Sequence, residues 1–117
     1  MADDWARPVV RWELEARDPE RQRAFYGTLF NWDIGDGPIM LIPAGLGAPE
    51  PGPAGHIRAS SRSGVTLYVQ VRDLRESLDR AVALGGEITL EPLDIPGGPT
   101  IAGITDPEDN PVTLVQQ

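Results

Sequence analysis

The residues that could carry chemistry are few and of restricted type. His56 is the only histidine, and the chain has neither cysteine nor lysine, so that all ten basic residues are arginine. Without cysteine there is no thiol nucleophile, disulfide or thiolate metal site. Without lysine there is no Schiff base and no phosphate-loop lysine. With one histidine, a single chain offers no metal site with two imidazole ligands, and a Ser-His-Asp triad would have to include His56.

Three side chains remain as candidates for acid–base catalysis without a metal ion. His56 could act as a general base near neutral pH, Tyr68 as an acid or hydrogen-bond donor, and Glu13 as a carboxylate. Each has a structural alternative, because a tyrosine on a strand can simply pack and a lone histidine beside a loop can lie on the surface. The catalytic residues, if the protein has any, are therefore left open among these three.

The charge balance restricts the partners of the protein. Eighteen acidic residues against ten basic ones give a formal charge of −8 and a pI near 4.4, which disfavours binding to nucleic acid or to an anionic membrane. The excess of acid either serves solubility or indicates a pocket that attracts a cation. The acidic N-terminus leads into no apolar stretch, and the apolar runs are far shorter than a membrane span, so we expect a cytoplasmic protein.

The elements that position these residues follow from the spacing of apolar side chains. The alternation of apolar and polar residues over Val9–Ala16 predicts a strand with one apolar face. Asp18 and Pro19 then suit the N-cap and first turn of a helix over residues 19–30. Strands are predicted to follow at residues 31–34, 38–42 and 56–60, with a loop rich in proline and glycine over residues 43–55.

The second half of the chain repeats this order. Residues 65–71 alternate again, Asp73 suits an N-cap, and a helix from Leu74 is predicted to end before the glycines at 85 and 86. Further strands are predicted at residues 87–91, 100–105 and 111–116. A half of this size would bury little surface alone, so the two halves are expected to pack as one domain. The prediction is a single domain over residues 1–117, with module one at about residues 8–60 and module two at about 64–117.

Several short stretches carry a resemblance to a known family. In the first half they are Trp12-Glu13-Leu14, Asp18-Pro19-Glu20-Arg21 and residues 24–32, and in the second half residues 68–73, 83–86 and 106–111. In this order and spacing, which covers about residues 9–116, the chain resembles the vicinal oxygen chelate superfamily of glyoxalase, bleomycin-resistance and extradiol dioxygenase proteins. The resemblance implies an α+β fold in which two tandem βαβββ modules form a curled mixed sheet around a shared cleft, with the helices outside.

The resemblance also implies where such proteins hold a metal ion. Carried over by position, the four ligands, usually His or Glu, fall on Arg11, Thr66, Thr113 and, through the repeat offset of 55 positions, Arg58. None of these side chains is a usual ligand of a divalent cation, and a guanidinium has no lone pair to donate. We therefore expect no metal and no other cofactor. The alternative is a divalent metal held by rearranged ligands drawn from Glu13, Glu15 or His56.

We predict instead that the polar strand faces line a cleft for a small molecule. Strand alternation gives the predicted ligand-binding residues, with His56 or Arg58 from module one: Arg11, Glu13, Arg58, Thr66, Tyr68, Gln70 and Thr113. Arg11 could bind a carboxylate or phosphate through two N–H groups, or could pair with Glu13.

The predicted function is that of a glyoxalase- and bleomycin-resistance-like protein that has lost its metal ligands and binds a small polar or aromatic molecule. The alternatives are a metal-dependent lyase, isomerase or dioxygenase, and the metal-free acid–base enzyme. A homodimer is consistent with the open sheet edges that a chain of this length leaves.

Overall fold

The structure is a computed structural model that describes residues 6–44 and 52–116. The predicted loop at 43–55 therefore falls for the most part outside the described residues. The chain divides into two compact units: Arg11–Thr66 form one, and the residues from Leu67 onward form the other with those before Arg11. In chain order, the elements are β1 (Val9–Ala16), α1 (Pro19–Phe30), β2 (Ile39–Ile42), β3 (Gly55–Ala59), β4 (Gly64–Val71), α2 (Leu74–Ala83), β5 (Glu87–Asp94), β6 (Thr100–Thr105) and β7 (Pro111–Gln116).

In the Arg11–Thr66 unit, three strands form a mixed sheet in the order β2-β3-β1. β1 pairs with β3 in parallel, and β2 pairs with β3 antiparallel. Every second side chain of β1 enters the core, as its alternation predicts, so that Leu14 and Ala16 pack with Ile57 of β3. The same core is completed by Ile34, Met40 and Ile42, with the rings of Trp12, Tyr26 and Trp32 packed against it.

In the other unit, four strands follow the order β4-β7-β6-β5. β4 and β7 are parallel, whereas β6 pairs antiparallel with both β5 and β7. Helix α2 places Leu74 and Leu78 in a core with Val71 and Leu114. This arrangement has the strand–helix–three-strand order that the sequence predicts for module two.

Both helices begin where their N-cap residues predict. The Asp18 carboxylate accepts a hydrogen bond from the backbone N–H of Arg21 at 3.2 Å, and Asp73 accepts one from Glu76 at 3.1 Å. These contacts satisfy N–H groups that have no partner within the helix. Helix α1 ends where Asn31 adopts a left-handed backbone conformation with φ 58°.

The strand predicted over residues 31–34 is wrong, because residues 31–36 belong to no strand. The left-handed Asn31 turns the chain out of the helix, and Ile34 still buries its side chain in the core. The backbone N–H of Gly35 then donates to the carbonyl of Leu41 at 3.0 Å, so the segment runs beside β2 without extending the ladder. The α+β class and the two tandem modules are confirmed. No helix in the described parts of the chain is long and apolar enough to cross a membrane.

Gly55 is needed where β3 passes the Trp12 ring. A Cβ at position 55 would overlap that ring, which is fixed by the hydrogen bond from its Nε1 to the Pro53 carbonyl at 2.9 Å. At Gly52 a Cβ would meet nothing within 4 Å. Overpacking of this kind typically costs about 1–3 kcal/mol.

We expect Gly55→Ala to lower the free energy of unfolding by about 1–3 kcal/mol, measured by urea denaturation. The matched control Gly52→Ala should change it by less than about 0.5 kcal/mol. Equal stability of the two variants would show that Trp12 moves away freely and that β3 is not held against it.

Candidate functional site

The parallel pairing of β1 and β3 brings four polar side chains together. Glu13 lies opposite His56, and Glu15 lies opposite Arg58. Because successive residues of a strand project to opposite faces, Leu14 and Ile57 enter the core while these four side chains lie on the other face. The alternation of the sequence predicts this face, and the register determines the partners on it.

The Glu13 carboxylate is buried and carries two direct partners. His56 Nε2 lies 2.8 Å from Glu13 Oε2, and Arg58 Nε donates to the same oxygen at 2.8 Å. Burial alone would raise the pKa of Glu13, but the hydrogen bonds from His56 and Arg58 outweigh it and lower the pKa from 4.5 to about 2. Glu13 is therefore ionised at neutral pH and is a weak base there.

The two ring nitrogens of His56 have different roles. Arg11 Nε donates to His56 Nδ1 at 2.8 Å, and an arginine has no atom that accepts a hydrogen bond. Nδ1 must therefore be the acceptor, which places the imidazole proton on Nε2, where it is donated to Glu13. The contacts form one chain from Arg11 through His56 to Glu13, and both imidazole nitrogens are used in it.

The second buried carboxylate, Glu15, has hydrogen-bond donors of its own and shares Arg58 with Glu13, since Arg58 Nη2 lies 3.7 Å from Glu15 Oε2. Arg62 binds it through two N–H groups at 3.1 and 3.2 Å, and Ser60 Oγ donates to it at 2.9 Å. Thr66 Oγ1 donates at 3.4 Å. Burial raises the pKa of Glu15, but the hydrogen bonds from Arg62 and Ser60 lower it by a larger amount. The pKa of Glu15 therefore lies below the usual 4.5.

The charges of this face are layered. Glu13 and Glu15 are 4% and 8% exposed, whereas the side chains of Arg58 and Arg62 are 43% and 60% exposed and Arg11 is half-buried. The guanidinium groups of Arg11, Arg58 and Arg62 are thus more exposed than the two carboxylates. Within the described residues, no carboxylate lies within 4 Å of the Arg11 guanidinium. A ligand approaching this face meets cations.

The predicted ligand-binding residues fall into two sets. Arg11, Glu13, Arg58 and Thr66 belong to the network of the Arg11–Thr66 unit, together with the catalytic candidate His56. In the other unit, Tyr68 lies opposite Thr113 and Gln70 opposite Val115, and all three predicted residues there are half-buried. That the two sets bind the same small molecule stays a prediction.

The contacts of Arg62 and Ser60 with Glu15 are not predicted by the sequence analysis. Both residues follow β3 in a short turn that matches no motif. The signal that could have found them is the need of a buried carboxylate such as Glu15 for nearby cations and hydrogen-bond donors.

The register also corrects one equivalence between the modules. Tyr68 pairs with Thr113 in β4 and β7, and Tyr68 corresponds to Glu13 at the repeat offset of 55. Glu13 pairs with His56, so the module-one counterpart of Thr113 is His56 and not Arg58. The repeat offset misplaced it by two residues because His56 follows Glu13 by 43 positions (56 − 13), whereas Thr113 follows Tyr68 by 45 (113 − 68).

The residues present do not fit a metal ion at the implied ligand positions. In this unit those positions hold Arg11, His56 and Thr66, and the one ligand type among them, His56, has its Nδ1 lone pair occupied by Arg11. Within residues 6–44 and 52–116, no group of three or more His, Asp or Glu side chains is arranged to hold a metal. That the protein needs no metal remains a prediction.

Comparisons with known proteins identify a family through one family model and support the fold through solved structures. The family model of the Glyoxalase-like domain matches residues 11–115. A glyoxalase/bleomycin resistance protein/dioxygenase superfamily member from Vibrio splendidus 12B01 has 15% identity and a TM-score of 0.67, with 96% of this chain and 100% of that chain covered. Methylmalonyl-CoA epimerase from Mycobacterium tuberculosis has 15% identity and a TM-score of 0.60, with 97% and 92% covered. No curated protein matches the chain. At these identities the solved structures show the fold alone.

The low pKa of Glu13 makes stability depend on pH in a defined direction. Because the pKa is lower in the folded protein than the usual 4.5, the stabilising contribution is complete above about pH 4.5 and is lost as the pH falls towards 2. A shift of this size corresponds to roughly 3 kcal/mol at neutral pH. Glu13→Gln should therefore cost about this much at pH 7, and the difference from wild type should shrink below pH 4.5, measured by urea denaturation.

Glu91→Gln is the matched control, since the pair of Glu91 with Arg75 is 3.0 Å long but its two side chains are 68% and 55% exposed. Exposed pairs of this kind contribute at most about 1 kcal/mol. A loss of stability in Glu13→Gln no larger than that in Glu91→Gln, or one that does not vary with pH, would contradict the lowered pKa of Glu13.

Proposed function

The chain belongs to the Glyoxalase-like domain family, and on that premise we propose that it binds a small polar or aromatic molecule without a metal ion. Family membership confirms the resemblance to the vicinal oxygen chelate superfamily. A fold of this kind supports several chemistries, so the function must be argued from the side chains.

One observation carries the proposal: Arg11 donates to His56 Nδ1, and His56 in turn holds Glu13. These contacts place a fixed cation on the polar face and occupy the one imidazole of the chain. A cation at this position repels a divalent metal and attracts the oxygen atoms of an anionic or polar ligand.

The same contacts disfavour the alternative functions. A metal-dependent lyase, isomerase or dioxygenase that used His56 would need a free imidazole lone pair, whereas Nδ1 accepts from Arg11 and Nε2 carries the proton donated to Glu13. An acid–base enzyme would need a base of higher pKa than Glu13, whose pKa is lowered to about 2 by hydrogen bonds that outweigh its burial. Tyr68 stays a candidate acid, half-buried opposite Thr113.

Metal independence is tested on the purified, untagged protein. We expect no stoichiometric Ni, Zn, Fe or Mn by elemental analysis, even after incubation with each ion and desalting. The melting temperature should be the same in EDTA and in each metal, because the network is complete without an ion. Stoichiometric metal together with a raised melting temperature would contradict the proposal and favour the metal-dependent alternative.

Ligand binding is tested by a thermal-shift screen of aromatic metabolites, small organic acids, neutral polar compounds and cationic glycopeptides in EDTA. We expect at least one class to stabilise wild type and to lose the effect in Arg11→Gln. The matched control Arg75→Gln, which removes an exposed arginine of α2, should keep it. No stabilisation by any class, or equal stabilisation of the Arg11→Gln variant, would contradict a binding role for this face.

A further inference from the structure

Resting on the proposed function, we propose that the ligand is a small monocarboxylate with an apolar body. Its carboxylate binds the outward edge of the Arg11 guanidinium, and its body lies on Leu41 and Ile39. Three features of the Arg11–Thr66 unit point to this ligand class.

The first feature is the unused part of Arg11. Its Nε donates to His56 at 2.8 Å and one Nη2 hydrogen points at the Gly55 carbonyl at 3.4 Å. A guanidinium has five N–H groups, so the described residues use at most two of them. The Nη1 and Nη2 edge is left for two parallel hydrogen bonds, the geometry that a carboxylate accepts. His56 fixes the group, so little side-chain freedom is lost on binding.

The second feature is an apolar border beside the cations. In the antiparallel register of β2 and β3, Leu41 lies opposite His56 and Ile39 opposite Arg58. Directly paired residues share one face of a sheet, so these two side chains lie on the polar face. They are 57% and 43% exposed. The alternate residues of β2, Met40 and Ile42, are buried in the core.

The third feature is the sign of the accessible charge. The carboxylates of Glu13 and Glu15 are buried and fully engaged, while the arginines above them reach solvent. A cationic ligand would meet these guanidinium groups first and be repelled. The whole chain nevertheless carries −8, which opposes the approach of polyanions. A single carboxylate satisfies the local attraction with the smallest long-range penalty.

The test uses ligands that differ only in their charged group. Phenylacetate and hexanoate are the anionic probes, their primary amides are the neutral isosteres, and 2-phenylethylamine is the cation. Binding to full-length protein in EDTA is measured by chemical-shift titration of the backbone amides. We expect at least one carboxylate to bind at least tenfold more tightly than its amide and than the amine. Arg11→Gln should weaken it tenfold without changing amide binding.

Leu41→Asn tests the apolar contact and Arg75→Gln is the control. Leu41→Asn should weaken phenylacetate or hexanoate several-fold and leave acetate unchanged, while Arg75→Gln alters none of them. The inference is overturned if neither carboxylate gives saturable shifts, if an amide or the amine binds as tightly, or if Arg11→Gln binds the carboxylate like wild type. Binding of a neutral or cationic compound would overturn the carboxylate class while leaving the proposed function standing. Absence of any metal-free ligand in the broader screen would overturn the proposed function itself.

Discussion

Glu13 is an ionised carboxylate with 4% of its surface exposed, and an ion in such surroundings is stable only if other groups compensate it. The compensation comes from His56 and Arg58 on the neighbouring strand, both 2.8 Å away. These contacts require the register that sets Glu13 opposite His56, and that register brings Gly55 beside Trp12 with no room for a side chain. Strand pairing, core packing and the polar face are therefore linked through one buried charge.

The same compensation determines which chemistry the face supports. His56 donates to Glu13 through Nε2 and accepts from Arg11 through Nδ1. Both nitrogens of the one imidazole are therefore engaged. The cationic side chains lie nearer the solvent than the acids, which gives the face a sign opposite to that of the whole chain. Membership of the Glyoxalase-like domain family therefore does not by itself determine the chemistry of this face.

Much of the fold follows from sequence because its signals are local. Alternation in β1 predicts which side chains enter the core, and Asp18 and Asp73 predict the helix starts. The strand predicted at residues 31–34 is wrong. Ile34 packs its apolar side chain in the core, but its segment is not part of a strand. Alternation also places Glu13 and Arg58 on the polar face. The partner of Glu13 depends on the β1–β3 register, which no local pattern of the sequence reveals.

The sign of the accessible charge on the polar face could not be predicted from composition either. An acidic chain allows a pocket for cations, but composition does not say which charges are buried. Here the acids of β1 are more buried than the arginines because Arg58 and Arg62 have long side chains that keep their charged ends near water.

The tautomer of His56 tests the hydrogen-bond chain from Arg11 to Glu13 most directly. With one histidine in the chain, the imidazole nitrogens give a single pair of ¹⁵N signals that need no further assignment. At pH 8, where a histidine is ordinarily neutral, the contacts predict a protonated Nε2 and an unprotonated Nδ1 in wild type. A proton on Nδ1, or the mixture of tautomers typical of a solvated imidazole, would contradict the chain of hydrogen bonds from Arg11 through His56 to Glu13.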